Sequence, residues 1–270
     1  MLLLLQDTKE LISMNRISKA FVDKKAFIAF ITGGDPDIET TEKLIIAMVE
    51  SGVDIIEIGI PFSDPIAEGV VIQEADERAL AKGCTVDKLF EMVIRIRAKA
   101  DIPLLFMTYS NPVFAYGRER FMQKCADCGI DGIIVPDLPF EEKNELADVC
   151  AEYGICQVSM IAPTSKERIG MIAKDAEGFI YCVSSLGVTG VRSVINTNIA
   201  EMIEQVKIST STPCAVGFGI STPEQARDMA AISDGVIVGS AIVKLIAEHG
   251  RQSVGPVKQY IRNMIEAVSN

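Results

Sequence analysis

The stretch "SGVDIIEI" (51–58) decides the fold, because its pattern returns elsewhere in the chain. The end of a helix, a glycine, an apolar residue, an aspartate and a strand-like apolar run follow one another in it. "CGIDGIIV" (128–135) repeats this order, and "SDGVIVG" (233–239) keeps its latter half. An internal repeat of this kind indicates that strands and helices alternate along the chain.

Eight short apolar runs have the composition of strands, and segments with apolar residues at helical spacing lie between them. The runs are "AFIAFIT" (26–32), "DIIEIGI" (54–60), "IPLLFMT" (102–108), "DGIIVPD" (131–137), "CQVSMIA" (156–162), "GFIYCVS" (178–184), "PCAVGFG" (213–219) and "DGVIVGS" (234–240). Eight strand–helix units in a chain of 270 residues predict a (β/α)8 TIM barrel. We expect a single domain over residues 1–270.

A doubly wound open sheet is the alternative architecture. It usually has fewer strands and carries a nucleotide-binding fingerprint after the first one. Here "TGGDPD" (32–37) follows the first predicted strand and does not read G-x-G-x-x-G. The leading segment "TKELISMNRISKAF" (8–21) predicts an extra N-terminal helix that covers the floor of the barrel.

Charge and hydropathy exclude two classes of partner. The formal net charge of −11 argues against nucleic acid, because the chain offers no basic stripe for a phosphate backbone. No segment reaches the roughly 18 to 20 apolar residues of a membrane span. "MLLLLQDTKE" (1–10) begins like a signal peptide but lacks a basic segment and is interrupted by Asp7. We therefore expect a soluble, cytoplasmic protein.

The cysteine and histidine content predicts neither a metal nor a cofactor. Seven scattered cysteines, an odd number without a secretion signal, indicate reduced and buried thiols. Cys125 and Cys128 form one C-x-x-C pair without a second pair or a nearby histidine. We interpret them as small core residues on one helix face in preference to metal ligands. His249 is the only histidine, and one histidine cannot build most metal sites.

Glu57 lies in a run of isoleucines, where an ionised carboxylate without a partner costs several kcal/mol. Alternation along the strand places Ile56, Ile58 and Ile60 on one face and Ile55, Glu57 and Gly59 on the other. If the first face meets the helices, Glu57 points into the barrel and Gly59 leaves open space above it. Apolar walls raise the pKa of a carboxyl, which fits a general acid–base. The alternative is that Glu57 has a structural role, with its carboxylate hydrogen-bonded to backbone amides or paired with a distant arginine.

The last two predicted strands end in small residues. Gly219, Gly239 and Ser240 lie at these strand tips, directly before helical sequence. Free amides at a helix N-terminus suit a phosphate, and barrels bind one at the loops after strands seven and eight. The segment "SLGVTGVRS" (185–193) fits a loop that closes over a substrate, although Gly187 fits a plain turn equally well.

A resemblance to a known family covers nearly the whole chain. It is carried, in this order, by "GDPD", "EIGIPFSDP", "SNPVFAYG", "VPDLP", "GVTGVR", "VGFGIS" and "VGSAIV". These motifs closely resemble those of the tryptophan synthase alpha subunit family, a barrel that cleaves indole-3-glycerol phosphate to indole and glyceraldehyde 3-phosphate. The resemblance implies a PLP-dependent beta subunit as partner in an alpha2beta2 complex, which receives the indole through a tunnel.

The resemblance also implies roles for individual residues. Glu57 matches the catalytic glutamate of the family, and Tyr181 matches a tyrosine of its active site. The positions that bind phosphate match Gly190, Gly219, Gly239 and Ser240. The positions around the indole match Phe30, Tyr109, Ile134 and Phe218. The loop that meets the beta subunit contains Pro61 and Asp64.

Some positions depart from the family pattern. The family usually reads Ala-Asp-Gly-Pro after "FSDP", with the aspartate bonded to the indole N–H, whereas Glu68 and Val70 replace the aspartate and the proline here. The longer arm of Glu68 either reaches the same nitrogen from a displaced loop or weakens the cleavage. Ser185 stands where many relatives carry arginine. A catalytically weak alpha-like partner that mainly activates a beta subunit is therefore the alternative function.

The residues fit this cleavage without a cofactor. A retro-aldol reaction needs an electron sink, and protonation of the indole ring at carbon three supplies one. We expect Glu57 to shuttle the proton and Glu68 to face the ring nitrogen. Two related barrels fit less well, because an indole-glycerol-phosphate synthase needs lysines at strand tips and a ribulose-phosphate epimerase needs metal-binding histidines.

Overall fold

The computed structural model describes residues 15–165, 167–183, 192–217 and 219–269. Nine parallel strands form one sheet within these residues. In chain order they are β1 (Ala26–Thr32), β2 (Ile55–Gly59), β3 (Leu104–Met107), β4 (Gly132–Ile134), β5 (Cys156–Gln157), β6 (Ser159–Ile161), β7 (Ile180–Val183), β8 (Cys214–Gly217) and β9 (Gly235–Val238). Seven of the eight predicted runs each contain one of these strands.

The sheet curls into a barrel. Its strand order is β5-β4-β3-β2-β1-β9-β8-β7-β6, so β5 and β6 form its two ends. These two strands are halves of the run predicted over 156–162, and only Val158 separates them. The Val158 amide still donates to the carbonyl of Ile133 on β4, at 3.0 Å. The predicted (β/α)8 barrel is confirmed, and the ninth strand arises from this break in the fifth predicted one.

Helices surround the barrel. The described ones are α1 (Arg16–Lys19), α2 (Ile38–Glu50), α3 (Val70–Ala81), α4 (Val86–Arg97), α5 (Ser110–Tyr116), α6 (Arg118–Cys128), α7 (Asn144–Glu152), α8 (Ile169–Lys174), α9 (Arg192–Ser209), α10 (Pro223–Ile232), α11 (Ser240–His249) and α12 (Val254–Ser269). Several begin at capping side chains: Asp37 accepts from the Thr40 amide, and Thr222 forms a capping box with Gln225. Within the described ranges, no helix is long and apolar enough to cross a membrane.

Two apolar layers form the core. The outer layer lies between strands and helices and contains Ile56, Ile58 and Ile60. The inner layer fills the barrel and contains Ile55. The predicted division of β2 into a helix-facing and a barrel-facing side is therefore correct. Cys125 and Cys128 are buried in the outer layer on α6, in agreement with their interpretation as core residues.

The aspartate of the internal repeat has a structural role at the start of the strands. In each copy its carboxylate accepts a hydrogen bond from an amide at the beginning of the preceding strand. The pairs are Asp54 with Phe27 (2.8 Å), Asp131 with Leu104 (2.9 Å) and Asp234 with Cys214 (3.0 Å). The repeat therefore encodes a lateral bond that joins consecutive strands at the barrel floor.

Helix α1 covers this floor. Its Ile17 is buried in the inner layer. A Cβ added to Gly132 or Gly178 would lie 3.2 Å from the Ile17 side chain, so this side chain packs against the first residue of β4 and the segment just before β7. The predicted N-terminal helix is thus observed over Arg16–Lys19; the part before residue 15 lies outside the described residues.

Candidate active site

A cavity of about 1770 Å³ opens at the carboxyl ends of the strands. Side chains from β1, β3, β7 and β9 form its floor: Phe30, Met107, Tyr181 and Ile237. The segments that follow the strands contribute the rim, including Glu68, Gly219, Gly239 and Ser240. This is the end of the barrel at which such folds bind their substrates.

Glu57 is fully buried on β2, where it pairs in register with Phe30 on β1 and Leu105 on β3. Within the described part of the chain, neither of its carboxylate oxygens has a hydrogen-bond partner. Burial raises the pKa of Glu57 to about 8, because removal from water penalises the charged form. The side chain is therefore mostly protonated at neutral pH, and the proposed bonding to backbone amides or a distant arginine is not observed.

Tyr181 shares the barrel interior with Glu57. Burial raises the pKa of the Tyr181 phenol well above its usual range, and the nearby charge of Glu57 adds to the effect. Gly217 on the neighbouring strand makes room for the ring, because a Cβ there would lie 2.5 Å from the Tyr181 hydroxyl oxygen. The phenol of Tyr181 and the carboxyl of Glu57 are therefore close enough to interact electrostatically.

The space beside Gly59 is filled, which corrects the expected opening above Glu57. A Cβ on Gly59 would lie 2.7 Å from Cζ of Phe30, and one on Gly239 would lie 3.2 Å from Cβ of the same residue. Both glycines thus accommodate the Phe30 ring. Phe30 lines the cavity, and Glu57 lies next to it on β2 as its partner in the strand register.

Glu68 lies at the rim, between β2 and α3. Its Oε2 atom is buried and has no hydrogen-bond partner among the described residues. Burial raises the pKa of Glu68 to about 7, and the charges of Asp76 and Asp137 contribute to the rise. Its backbone carbonyl accepts from Nε2 of Gln73 at 2.8 Å. The carboxyl therefore changes charge near neutral pH while its backbone is held.

Tyr109 and Ile134 are buried behind the cavity wall, at 3% and 0% exposure. Their chain neighbours Met107 and Val135 line the cavity instead. The Tyr109 hydroxyl accepts a hydrogen bond from the Ala67 amide at 2.8 Å. Tyr109 and Ile134 do not line the cavity themselves, and their contact with a substrate stays a prediction.

Gly219, Gly239 and Ser240 line the same cavity, as expected for a shared ligand. Ser240 is the first residue of α11 and Gly239 precedes it, so this helix directs its first amides toward the rim. Gly219 has φ of +79° and open space around its Cα. Gly190 and Phe218, which the resemblance adds to the site, lie outside the described residues.

The structure adds residues that sequence reasoning did not select. Lys244 lines the cavity one helical turn beyond Ser240, and the i to i+4 spacing was the available signal. Asp76 on α3 is 5% exposed, and burial raises its pKa to about 7. No sequence pattern distinguishes this carboxyl from the surrounding charges of α3. Among the described residues, no group of three metal-binding side chains comes together.

The segment before α3 is exposed and partly apolar. Asp64 is exposed and Pro61 half-buried, while Ile66 and Val70 are 82% and 66% exposed. Large apolar side chains exposed together mark surfaces that contact other molecules. The structure thus places Pro61 and Asp64 beside such a surface at the edge of the cavity.

Comparisons with known proteins agree on one family. The family model described as tryptophan synthase alpha chain matches residues 18–269. A tryptophan synthase alpha chain from Caldanaerobacter subterraneus subsp. tengcongensis is 48% identical over 262 residues, covering 94% of this chain and 100% of the relative. The crystal structure of tryptophan synthase subunit alpha from Legionella pneumophila str. Paris is 37% identical with a TM-score of 0.87, covering 95% of this chain and 99% of that one.

A further solved structure is a tryptophan synthase complex from Pyrococcus furiosus. The matched chain is 34% identical with a TM-score of 0.82, and the match covers 90% of this chain and 99% of that one. The family model, the relatives and the solved structures thus coincide with the motifs and with the barrel. The chain belongs to the tryptophan synthase alpha chain family.

Proposed function

We propose that the chain cleaves indole-3-glycerol phosphate to indole and glyceraldehyde 3-phosphate. Family membership makes it a lyase of tryptophan biosynthesis, and the specific reaction is our proposal. One observation carries it: Glu57 is a fully buried carboxyl beneath the cavity, without a hydrogen-bond partner among the described residues and with a pKa raised to about 8. Such a group holds a proton at neutral pH and can exchange it with a substrate.

The proposed reaction makes two proton transfers, one from Glu57 and one back to it, and breaks one carbon–carbon bond. Glu57 donates its proton to carbon three of the indole ring, which makes the ring an iminium electron sink. The glycerol hydroxyl next to the breaking bond loses its proton, and the Glu57 carboxylate accepts it. The electrons of the breaking bond return to the ring, so indole and the aldehyde leave with Glu57 protonated again. Tyr181, which interacts electrostatically with Glu57, is proposed to orient the carboxyl.

Glu68 is proposed to supply the negative charge that stabilises the indole N–H as the ring becomes positive. Its carboxylate has a buried oxygen without a partner among the described residues, and its backbone is held by Gln73. A pKa raised to about 7 leaves a substantial ionised fraction at neutral pH. This arrangement supports glutamate in the role that an aspartate has in the family.

The phosphate is proposed to bind at Gly219, Gly239 and Ser240. These residues share the cavity rim, and the amides at the start of α11 offer donors and a favourable helix dipole. Lys244 lines the same cavity and would add a positive charge. A cavity that combines this rim with the apolar floor suits a substrate with a phosphate at one end and an aromatic ring at the other.

The proposed partner is a PLP-dependent beta subunit in an alpha2beta2 complex. A solved relative is a tryptophan synthase complex, and the segment with Pro61 and Asp64 lies beside exposed Ile66 and Val70. We propose the cytoplasm as the location, because all seven cysteines are free, buried thiols, the state that a reducing compartment maintains.

The decisive experiment measures indole release from indole-3-glycerol phosphate by the purified chain, with and without a cognate beta subunit. We expect release by the chain alone and faster release with the beta subunit. Absence of release under both conditions would reject the cleavage, whereas activation of a beta subunit by an inactive chain would support the weak partner. A beta subunit that neither binds nor changes turnover would reject the partner assignment.

A further inference from the structure

Tyr109 contacts the segment before α3 at both of its ends. Its hydroxyl accepts a hydrogen bond from the Ala67 amide at 2.8 Å. Its ring lies 5.4 Å from the ring of Phe62, with an interplanar angle of 36°. Tyr109 is 3% exposed, whereas Phe62 is half-buried and Ala67 is exposed, so a buried side chain supports a loop at the surface. One side chain on the β3 side therefore holds residues 62–67 of the neighbouring loop.

The residue that follows Ala67 is Glu68, and its other side is held as well. Nε2 of Gln73 donates to the Glu68 carbonyl at 2.8 Å, and the Gln73 amide donates to the Gly69 carbonyl at 3.1 Å. The backbone on both sides of Glu68 thus has fixed partners. Its buried carboxylate Oε2 has none among the described residues. This is the arrangement of a side chain presented to a ligand by a fixed backbone.

Tyr109 is itself anchored by the chain around it. The Thr108 amide donates to the Ile134 carbonyl at 3.0 Å. The amide and hydroxyl of Ser110 donate to the two carboxylate oxygens of Asp137, at 2.9 and 2.6 Å. These bonds tie the residues on either side of Tyr109 to β4 and the segment after it. The phenol is consequently a rigid support for Ala67.

We infer that Tyr109 is a positioning residue, whose hydroxyl fixes the Ala67 peptide and thereby places the Glu68 carboxylate against the substrate ring. The inference rests on the cleavage proposed above. In this role Tyr109 affects the reaction by positioning Glu68, and it does not need to contact the indole. Tyr109→Phe keeps the ring and its contact with Phe62, and removes only the support of the peptide before Glu68.

A double-mutant cycle tests this role through single-turnover indole release. Tyr109→Phe is expected to slow release about five- to tenfold, the range for one lost hydrogen bond, with little change in substrate affinity. In a Glu68→Gln background, Tyr109→Phe should have almost no further effect on the rate. The carboxylate through which Tyr109 acts is already absent there. Equal losses in both backgrounds overturn the inference. Tyr116→Phe, which loses a hydroxyl bonded to Asp87 on the surface, is the matched control and should keep the parent rate.

Amide hydrogen exchange at Ala67 provides a readout that does not depend on activity. The amide should exchange slowly in the parent and markedly faster in Tyr109→Phe, while the amides of β2 keep their protection. Unchanged exchange at Ala67 overturns the inference even if catalysis falls. A parent that protects Ala67 but releases no indole rejects the proposed function and leaves this contact established.

Discussion

Replacing Glu57 by glutamine should change the pH dependence of stability as well as catalysis. The substitution keeps the shape of the side chain and removes its ionisation. Glu57 is fully buried, and burial raises its pKa to about 8 from an ordinary value of 4.5. Between these two values the folded chain holds a proton that the unfolded chain releases. The parent is therefore destabilised, relative to the glutamine variant, as the pH rises through this window.

The size of the effect follows from linkage. Each pH unit between the unfolded and folded pKa values lowers the free energy of unfolding by about 1.4 kcal/mol. From pH 5 to pH 8 the free energy of unfolding of the parent should fall relative to Glu57→Gln by up to about 4 kcal/mol. Below the unfolded pKa both side chains are neutral, and the difference between the two proteins should be constant.

Urea unfolding of both proteins at intervals between pH 5 and pH 8 measures this difference. Glu39→Gln is the matched control: it makes the same substitution at an exposed position of α2 that pairs with Lys43 at 2.7 Å, and the fall in stability between pH 5 and pH 8 should remain. Parallel stability curves for parent and Glu57→Gln would refute the reasoning, since Glu57 would then titrate as a solvated carboxylate.

The same variant tests catalysis. Loss of one general acid–base costs about 10²- to 10⁴-fold in rate, so single-turnover indole release should fall by at least that range while calorimetry detects retained substrate affinity. A rate within tenfold of the parent, in a folded variant, would show that Glu57 is structural.

Two further predictions concern the rim. The rate of cleavage should depend on pH as a bell: it rises through about pH 7 as Glu68 ionises and falls above about pH 8 as Glu57 loses its proton. Steady-state rates of the parent and of Glu68→Gln check this, and a rising limb that survives in the variant would assign that limb to another group. Gly219→Val should raise the Michaelis constant strongly, because its side chain enters the space proposed for the phosphate. Gly154→Val, at a similar positive φ of +68° with open space, controls for backbone strain; an equal effect in both variants would move the phosphate elsewhere.

The barrel could be predicted from the sequence because its signals are local. Alternation along β2 identified both the face that meets the helices and the inward position of Glu57. The repeated aspartate marked the strand starts for a reason that only the structure shows: each one bonds an amide of the preceding strand. The prediction that strands and helices alternate thus rested on a repeat whose physical basis is a contact between neighbouring strands.

The contents of the cavity could not be predicted in the same way, because they depend on contacts between segments far apart in the chain. Gly59 indicated open space, but the ring of Phe30 fills it from the neighbouring strand. Tyr109 is 42 residues from Ala67, and neither the hydroxyl nor the amide has a sequence pattern that predicts their pairing. Residue type therefore indicated which side chains belong to the site, and packing decides how they meet.

Glu68 shows how packing changes the meaning of a substitution. Judged from sequence, a glutamate in place of the family aspartate either reaches the indole nitrogen from a displaced loop or weakens the cleavage. In the structure, Tyr109 and Gln73 hold the backbone on both sides of this residue, so the loop is not free to shift. The extra methylene, about 1.5 Å long, must then be accommodated by the side chain within the cavity. In the proposed mechanism, the length of the side chain then decides how the carboxylate meets the indole ring, because the backbone around Glu68 is anchored.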